Sequence, residues 1–163
     1  MRFVFLDFEA SGLHRDSWPI EVGLAWIADG AIRVEASLIR PDPDWPIAAW
    51  SAESAAVHGI PLAELATAPP AGAVAGRFAA LMSDALVLSD APEFDQRWLD
   101  RLLATLPEPP AIILRDFDAE THGAFTAHAL DAVYEQLNLI RAPHRAGPDA
   151  ARLAKAWLAG SRR

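Results

Sequence analysis

The chain of 163 residues contains no cysteine. A disulfide framework, a thiolate metal site and a thiol nucleophile are therefore excluded. Long apolar runs are missing as well: no stretch approaches the roughly 18 consecutive apolar residues of a membrane helix, so no membrane partner is expected. Positive charge is scarce, with 14 Lys and Arg against 22 Asp and Glu and a formal net charge of −8. A protein that grips long nucleic acid through its phosphates carries a basic face. Here only the C-terminal part (Arg141, Arg145, Arg152, Lys155, Arg162 and Arg163) is locally basic. An acidic surplus also suits a cluster of carboxylates gathered around divalent metal. Charged residues make up 22% of the chain and hydrophobic ones 52%, which excludes disorder and supplies a core. No internal repeat is present, and the Ala/Pro-rich patches at 66–73 and 107–111 are short enough to be loops, so residues 1–163 are expected to form one domain. The opening Met1-Arg2-Phe3-Val4-Phe5-Leu6-Asp7-Phe8-Glu9 places acids directly behind its apolar run, unlike a secretory signal. A cytoplasmic location is expected.

Phe3-Val4-Phe5-Leu6 has the pattern of a strand buried on both faces. Residues 20–28 and 32–39 read as two more strands, joined by the hairpin turn Asp29-Gly30. After a proline-rich break at 41–46, helices are expected over 51–57 and 71–82, a short strand over 86–88 and a helix over 94–103. Phe94, Trp98, Leu99, Leu102 and Leu103 carry the helical spacing of the last. Residues 111–114 read as a fifth strand, and helices over 125–137 and 148–158 close the chain. The pattern predicts an α/β fold: a mixed five-stranded sheet, its three antiparallel strands first, flanked by helices.

Chemistry concentrates on a few acids. Asp7 and Glu9 stand at i and i+2 near the end of the first strand, so both carboxylates project from one face. Such a pair beside an apolar core repels and resists desolvation, and hard divalent cations such as Mg²⁺ or Mn²⁺ relieve both costs. The plainer alternative is a solvated strand end. Gly12, in Ser11-Gly12-Leu13, allows either close backbone approach to a ligand or an ordinary turn. Asp95, at the head of a helix, and Asp149, in the first turn after Gly147-Pro148, are both accounted for by the helix dipole or by a site. His144 lies on the loop before Asp149, and histidine is suited to general-base work at neutral pH. His58 can pin a helix end, while His14, His122 and His128 read as surface residues, and the six tryptophans as packing.

Taken together, these segments resemble the DEDDh branch of the 3′→5′ exonucleases, which includes proofreading exonucleases, RNase T and oligoribonuclease. Asp7-Phe8-Glu9-Ala10-Ser11-Gly12-Leu13 is similar to the first motif, with Ile20-Glu21-Val22-Gly23 behind it. Val57-His58-Gly59-Ile60 is similar to an Ile-His-Gly-Ile element, Phe94-Asp95 to the second motif, and His144-x-Ala146-x-x-Asp149 to the third, H-x-A-x-x-D. The likeness runs from about Phe3 to Leu158. Two departures stand out: Asp90 and Ala91 replace the usual His-Asn of the second motif, and Ser11 stands where threonine is commoner.

The resemblance implies a ribonuclease H-like fold and two divalent ions, Mg²⁺ or Mn²⁺, held by Asp7, Glu9, Asp95 and Asp149, with His144 as general base. It implies that Ala10, Ser11, Gly12 and Leu13, with His58, contact substrate. The expected activity is hydrolysis at the 3′ end of single-stranded or short RNA or DNA, releasing nucleoside 5′-monophosphates. The oligomeric state stays open, a homodimer being one alternative because dimers are common among stand-alone members of the family. Three other classes stay open: an endonuclease of the same fold, a silent nucleic-acid-binding module, and a metal-dependent phosphohydrolase of small nucleotides.

Overall fold

Five strands form one sheet in the computed structural model, which describes residues 2–162. The strands are β1 (Arg2–Ala10), β2 (Pro19–Ala28), β3 (Ala31–Leu38), β4 (Ala85–Ser89) and β5 (Arg115–Asp116), in the order β3-β2-β1-β4-β5. β1 pairs antiparallel with β2 and parallel with β4, and β3 is antiparallel to β2. This is the expected mixed sheet of a ribonuclease H-like fold with its antiparallel strands first. At the hairpin, Asp29 and Gly30 have φ of 52° and 72°, the pair of positive values that a two-residue turn matched to strand twist requires.

Strand parity divides the core. Val4, Leu6 and Phe8 of β1 face a cluster with Trp18, Ile20, Phe78 and Leu99, whereas Phe5 faces a second cluster built around Trp157. Among the described residues there are seven α-helices: α1 (Ala52–His58), α2 (Leu62–Leu65), α3 (Ala71–Met82), α4 (Pro92–Leu103), α5 (Phe117–Ala124), α6 (Ala127–Leu139) and α7 (Ala146–Ser161), of which α3, α4, α5 and α7 pack on the sheet and α6 on α7. Trp157 of α7 meets the rings of Phe3, Phe5, Phe117 and Phe125 at centroid distances of 4.6–6.2 Å. Gly23 sets how closely α7 lies on β2, since a Cβ there would come 2.1 Å from the Ala146 carbonyl carbon. Asp7 and Glu9 share the parity of Phe5, so the face that carries them is the one that α7 covers.

Four expectations need correction. Residues 111–114 form no strand: the Gln96 side chain takes the place of a neighbouring strand, accepting from Leu114 N–H and donating to the Ile112 carbonyl. The ladder begins only at Arg115, and lasts two residues. The helix expected over 125–137 is α6, which starts only at Ala127 and runs to Leu139, and α5 before it is a separate, unexpected helix. Phe125 and Thr126 are extended between them, and the Phe125 ring packs on Trp157. The Asp116 carboxylate caps α5 by accepting from Ala119 N–H, in a stretch where only Phe117 and Thr121 are buried and periodicity is faint. The last helix starts at Ala146, two residues before the expected start, so Pro148 occupies its third position rather than its first. Proline is tolerated there because the first turn's N–H groups have no intrahelical partner. The short helix α2 was not anticipated.

Candidate metal centre

β1 and β4 run parallel, so their carboxyl ends lie at the same edge of the sheet, where open α/β sheets place ligands. Asp7 and Glu9 occupy the last turn of pleat in β1, and Asp90 follows directly on β4. Asp95 enters from the first turn of α4, and His144 and Asp149 from the loop and first turn at the start of α7. These residues, with Leu13, Phe94 and Arg152, line one cavity of about 260 Å³. A roomier cleft of about 740 Å³, lined by Arg15, Arg97 and Arg101 among others, contains none of the carboxylates that converge here. The chemistry therefore sits in the smaller cavity.

Two ligand groups are formed there. One oxygen or nitrogen atom from each of Glu9, His144 and Asp149 lies within 4.8 Å of the others, and so do carboxylate oxygens of Asp7, Asp90 and Asp95. Crowding shows in the acidities. Burial, then the carboxylates of Asp95, Glu9, Asp149 and Asp90, push Asp7 well above the usual carboxylate range. Glu9 is raised to about 8, mainly by burial and then by Asp149 and Glu21. Asp95 is raised to about 7 by burial, against the pull of hydrogen bonds from Ser89 and the Phe8 backbone. Burial also raises Asp90 and Asp149.

Asp95 is 1% exposed, and Ser89 Oγ donates to its Oδ2 while accepting from Ala91 N–H. A first-turn acid answering only to the helix dipole would point to water; this one is locked inward. Asp149 divides its two oxygens. Oδ2 accepts from Arg145 N–H at 3.0 Å, a capping bond to α7, whereas Oδ1 is shielded from solvent and has no partner. A buried carboxylate oxygen without a donor is costly, and a cation is the complement it lacks. That orphan, together with hard oxygen donors whose pKa values are raised by burial and then by neighbouring carboxylates, fits divalent metal.

Of the ten sequence-derived site residues, Asp7, Glu9, Asp95, His144, Asp149 and Leu13 meet at the cavity. Ala10, Ser11, Gly12 and His58 do not line it. Ser11 is fully buried, its hydroxyl accepting from Trp18 N–H and its carbonyl from Ser51 N–H, so it braces the loop after β1. His58 closes α1: its Nδ1 accepts from Ile60 N–H, its ring packs on Trp50, and burial lowers its pKa. His14, His122 and His128 are exposed, as expected of surface residues. Asp90 is the residue that sequence reasoning passed over. It was noted only for what it replaced, although its position immediately after a strand parallel to β1 was a signal available beforehand.

Comparison with known proteins places these residues in context. The model of the RNase T exonuclease family matches residues 4–157. A DNA polymerase III subunit epsilon-like protein of Rhodobacter capsulatus is 30% identical over 169 residues, covering 97% of this chain and 23% of that protein. Among solved structures, E. coli exonuclease I in complex with a dA16 oligonucleotide superposes with a TM-score of 0.71 at 17% identity, covering 98% of this chain and 41% of the other. The zinc-bound E. coli exonuclease I–single-stranded DNA complex gives 0.68 at 16% identity, covering 99% and 41%. The chain thus spans about a quarter of the curated relative and two fifths of the solved chains.

Proposed function

Because this chain belongs to the RNase T exonuclease family and is a metal-dependent nuclease of the DEDDh type, we propose that residues 1–163 form one 3′→5′ exonuclease domain. It removes nucleoside 5′-monophosphates from the 3′ end of single-stranded or short nucleic acid. The observation that carries this reading is the convergence of Asp7, Glu9, Asp95, His144 and Asp149 on one cavity, from three separate segments.

Asp7, which stands with Asp90 and Asp95 in one ligand group, would serve both ions; Glu9 and Asp149 would complete the site of one, Asp95 and Asp90 that of the other. Bound Mg²⁺ or Mn²⁺ supplies the positive charge that activates water and steadies the leaving oxygen. The water oxygen forms a bond to the terminal phosphorus while the bond from phosphorus to the 3′ oxygen of the preceding nucleotide breaks. His144 takes the water's proton, and the departing oxygen becomes a 3′ hydroxyl by taking a proton from solvent. Leu13 is 66% exposed and Phe94 39%, and these two apolar side chains at the mouth give the terminal base a surface to lie on. Arg152 also lines the cavity and offers a counter-charge to the phosphate. Its Nε and Nη2 donate to the carbonyls of Ile140 and Leu137, which hold it in place.

A timed digest of matched 5′-labelled RNA and DNA strands with Mg²⁺ or Mn²⁺ tests the reading. A ladder descending one nucleotide at a time, abolished in Asp7→Ala, is the expected result. Cutting of circular single-stranded DNA would point instead to an endonuclease, and turnover of a nucleoside triphosphate without release from an oligonucleotide to a phosphohydrolase. With no long basic track, activity on long duplexes is expected to fall at 0.3 M salt.

A further inference from the structure

Glu21 belongs to neither ligand group, yet it is the hub of the bonds beside them. It sits on β2 directly across from Glu9 and is 5% exposed. Its carboxylate accepts from Arg145 Nε at 3.0 and 3.2 Å, from Arg145 Nη2 at 2.7 Å and from Ala146 N–H at 2.9 Å. A carboxylate buried this deeply is costly unless fully paired, and here a forked guanidinium and a backbone donor satisfy it. The Ala146 bond matters separately, because it caps the first turn of α7 from a neighbouring strand.

His144 immediately precedes this clamp. It is an exposed loop residue with φ of 55°, a backbone region that non-glycine residues hold only when their surroundings impose it. Gly23, two residues beyond Glu21 and on the same face, clears the space that lets the Ala146 backbone come down onto the strand. The register Glu9–Glu21, the Arg145 fork and one peptide bond therefore connect Glu9 to His144 through rigid parts alone.

We propose that Glu21 is a positioning residue for the general base: through Arg145 and Ala146 it sets where the His144 imidazole stands relative to Glu9. The inference rests on the reading of His144 as base. Asp149 is less dependent on the clamp, since it lies inside α7 and is held by the packing of that helix on the sheet.

The test compares Glu21→Gln, Arg145→Gln and their double variant with wild type, measuring kcat and KM on a 5′-labelled oligonucleotide and Mn²⁺ affinity by calorimetry. The expected result is a loss of about tenfold to hundredfold in kcat, with KM and Mn²⁺ affinity within about twofold and the double variant no worse than the more impaired single one. Arg145 is half-exposed, so Arg145→Gln carries the same test if Glu21→Gln fails to fold. Unchanged kcat in the clamp variants beside an impaired His144→Ala would overturn the proposal and leave the nuclease reading intact. A loss of Mn²⁺ affinity matching the loss of kcat would also overturn it, because the clamp would then serve Asp149. A fully active His144→Ala would sink both readings.

Discussion

The two sides of the cavity are built on different ground. On one side Asp7 stands on the central strand of the sheet and Asp95 in a helix turn sealed to 1% exposure, with Ser89 as its nearest donor. On the other, His144 is exposed on a loop and Asp149 is tethered through a backbone N–H one turn away. The first side stores repulsion: its acids are raised by burial before any neighbour is counted. The second stores geometry: Asp149 is held by the Arg145 N–H, and the start of α7 by its close approach to Gly23. The lesson is a division of labour. Buried carboxylates set the demand for positive charge, and the exposed loop sets where a proton is taken.

The strongest way to break this contrast is Asp7→Asn. Removing several kcal/mol of transition-state charge stabilisation corresponds to a loss of roughly 10³-fold or more in kcat. The metal-free protein should at the same time melt at a higher temperature, because a repelled and desolvated charge has gone. His144→Ala should cost about 10²–10⁴-fold in rate while Mn²⁺ affinity falls far less, because Glu9 and Asp149 of its ligand group remain, and the melting temperature is unmoved. Loss of Mn²⁺ binding in that variant would erase the distinction between the two sides. Gly23→Ala reaches the exposed side through its scaffold. The added methyl collides with the Ala146 backbone, so destabilisation of about 1–3 kcal/mol is expected in denaturant unfolding, with reduced kcat.

A subtler probe is pH. Glu9 is raised from 4.5 to about 8 and Asp95 from 3.8 to about 7 in the folded protein. Below the unfolded values both states are protonated and nothing is lost. As pH climbs past about 4, the unfolded chain ionises first, the folded state binds more protons, and stability falls with rising pH until about 8. Melting temperatures of the metal-free protein should therefore drop across pH 5 to 8. Mg²⁺ should restore them most at the alkaline end, and Glu9→Gln should flatten the profile. The smallest effect is expected from Asp90→Asn, since Asp7 and Asp95 remain: weaker Mn²⁺ binding in calorimetry, with a smaller loss of rate than for Asp7→Asn.

Much of this architecture was legible in the residues. Alternation along Asp7-Phe8-Glu9 sent both acids to one face, and Asp29-Gly30 specified its turn through local backbone preference alone. What escaped depends on distant partners. Residues 111–114 look like a strand until Gln96, far away in sequence, is seen taking the hydrogen bonds. Ser11 looks available in the sequence but is enclosed by Trp18 and Ser51. Asp90 gains meaning only from the parallel pairing of β4 with β1, and Glu21 only from Arg145, 124 residues later. Local preference and periodicity carry no information about such pairings.

A Mn²⁺ titration of metal-free protein, followed by the electron paramagnetic resonance of the free ion, tests the central claim most directly. The account predicts saturation at two Mn²⁺ per chain, one for each ligand group, and the loss of both in Asp7→Asn. Absence of saturable binding, or binding that Asp7→Asn leaves untouched, would contradict it.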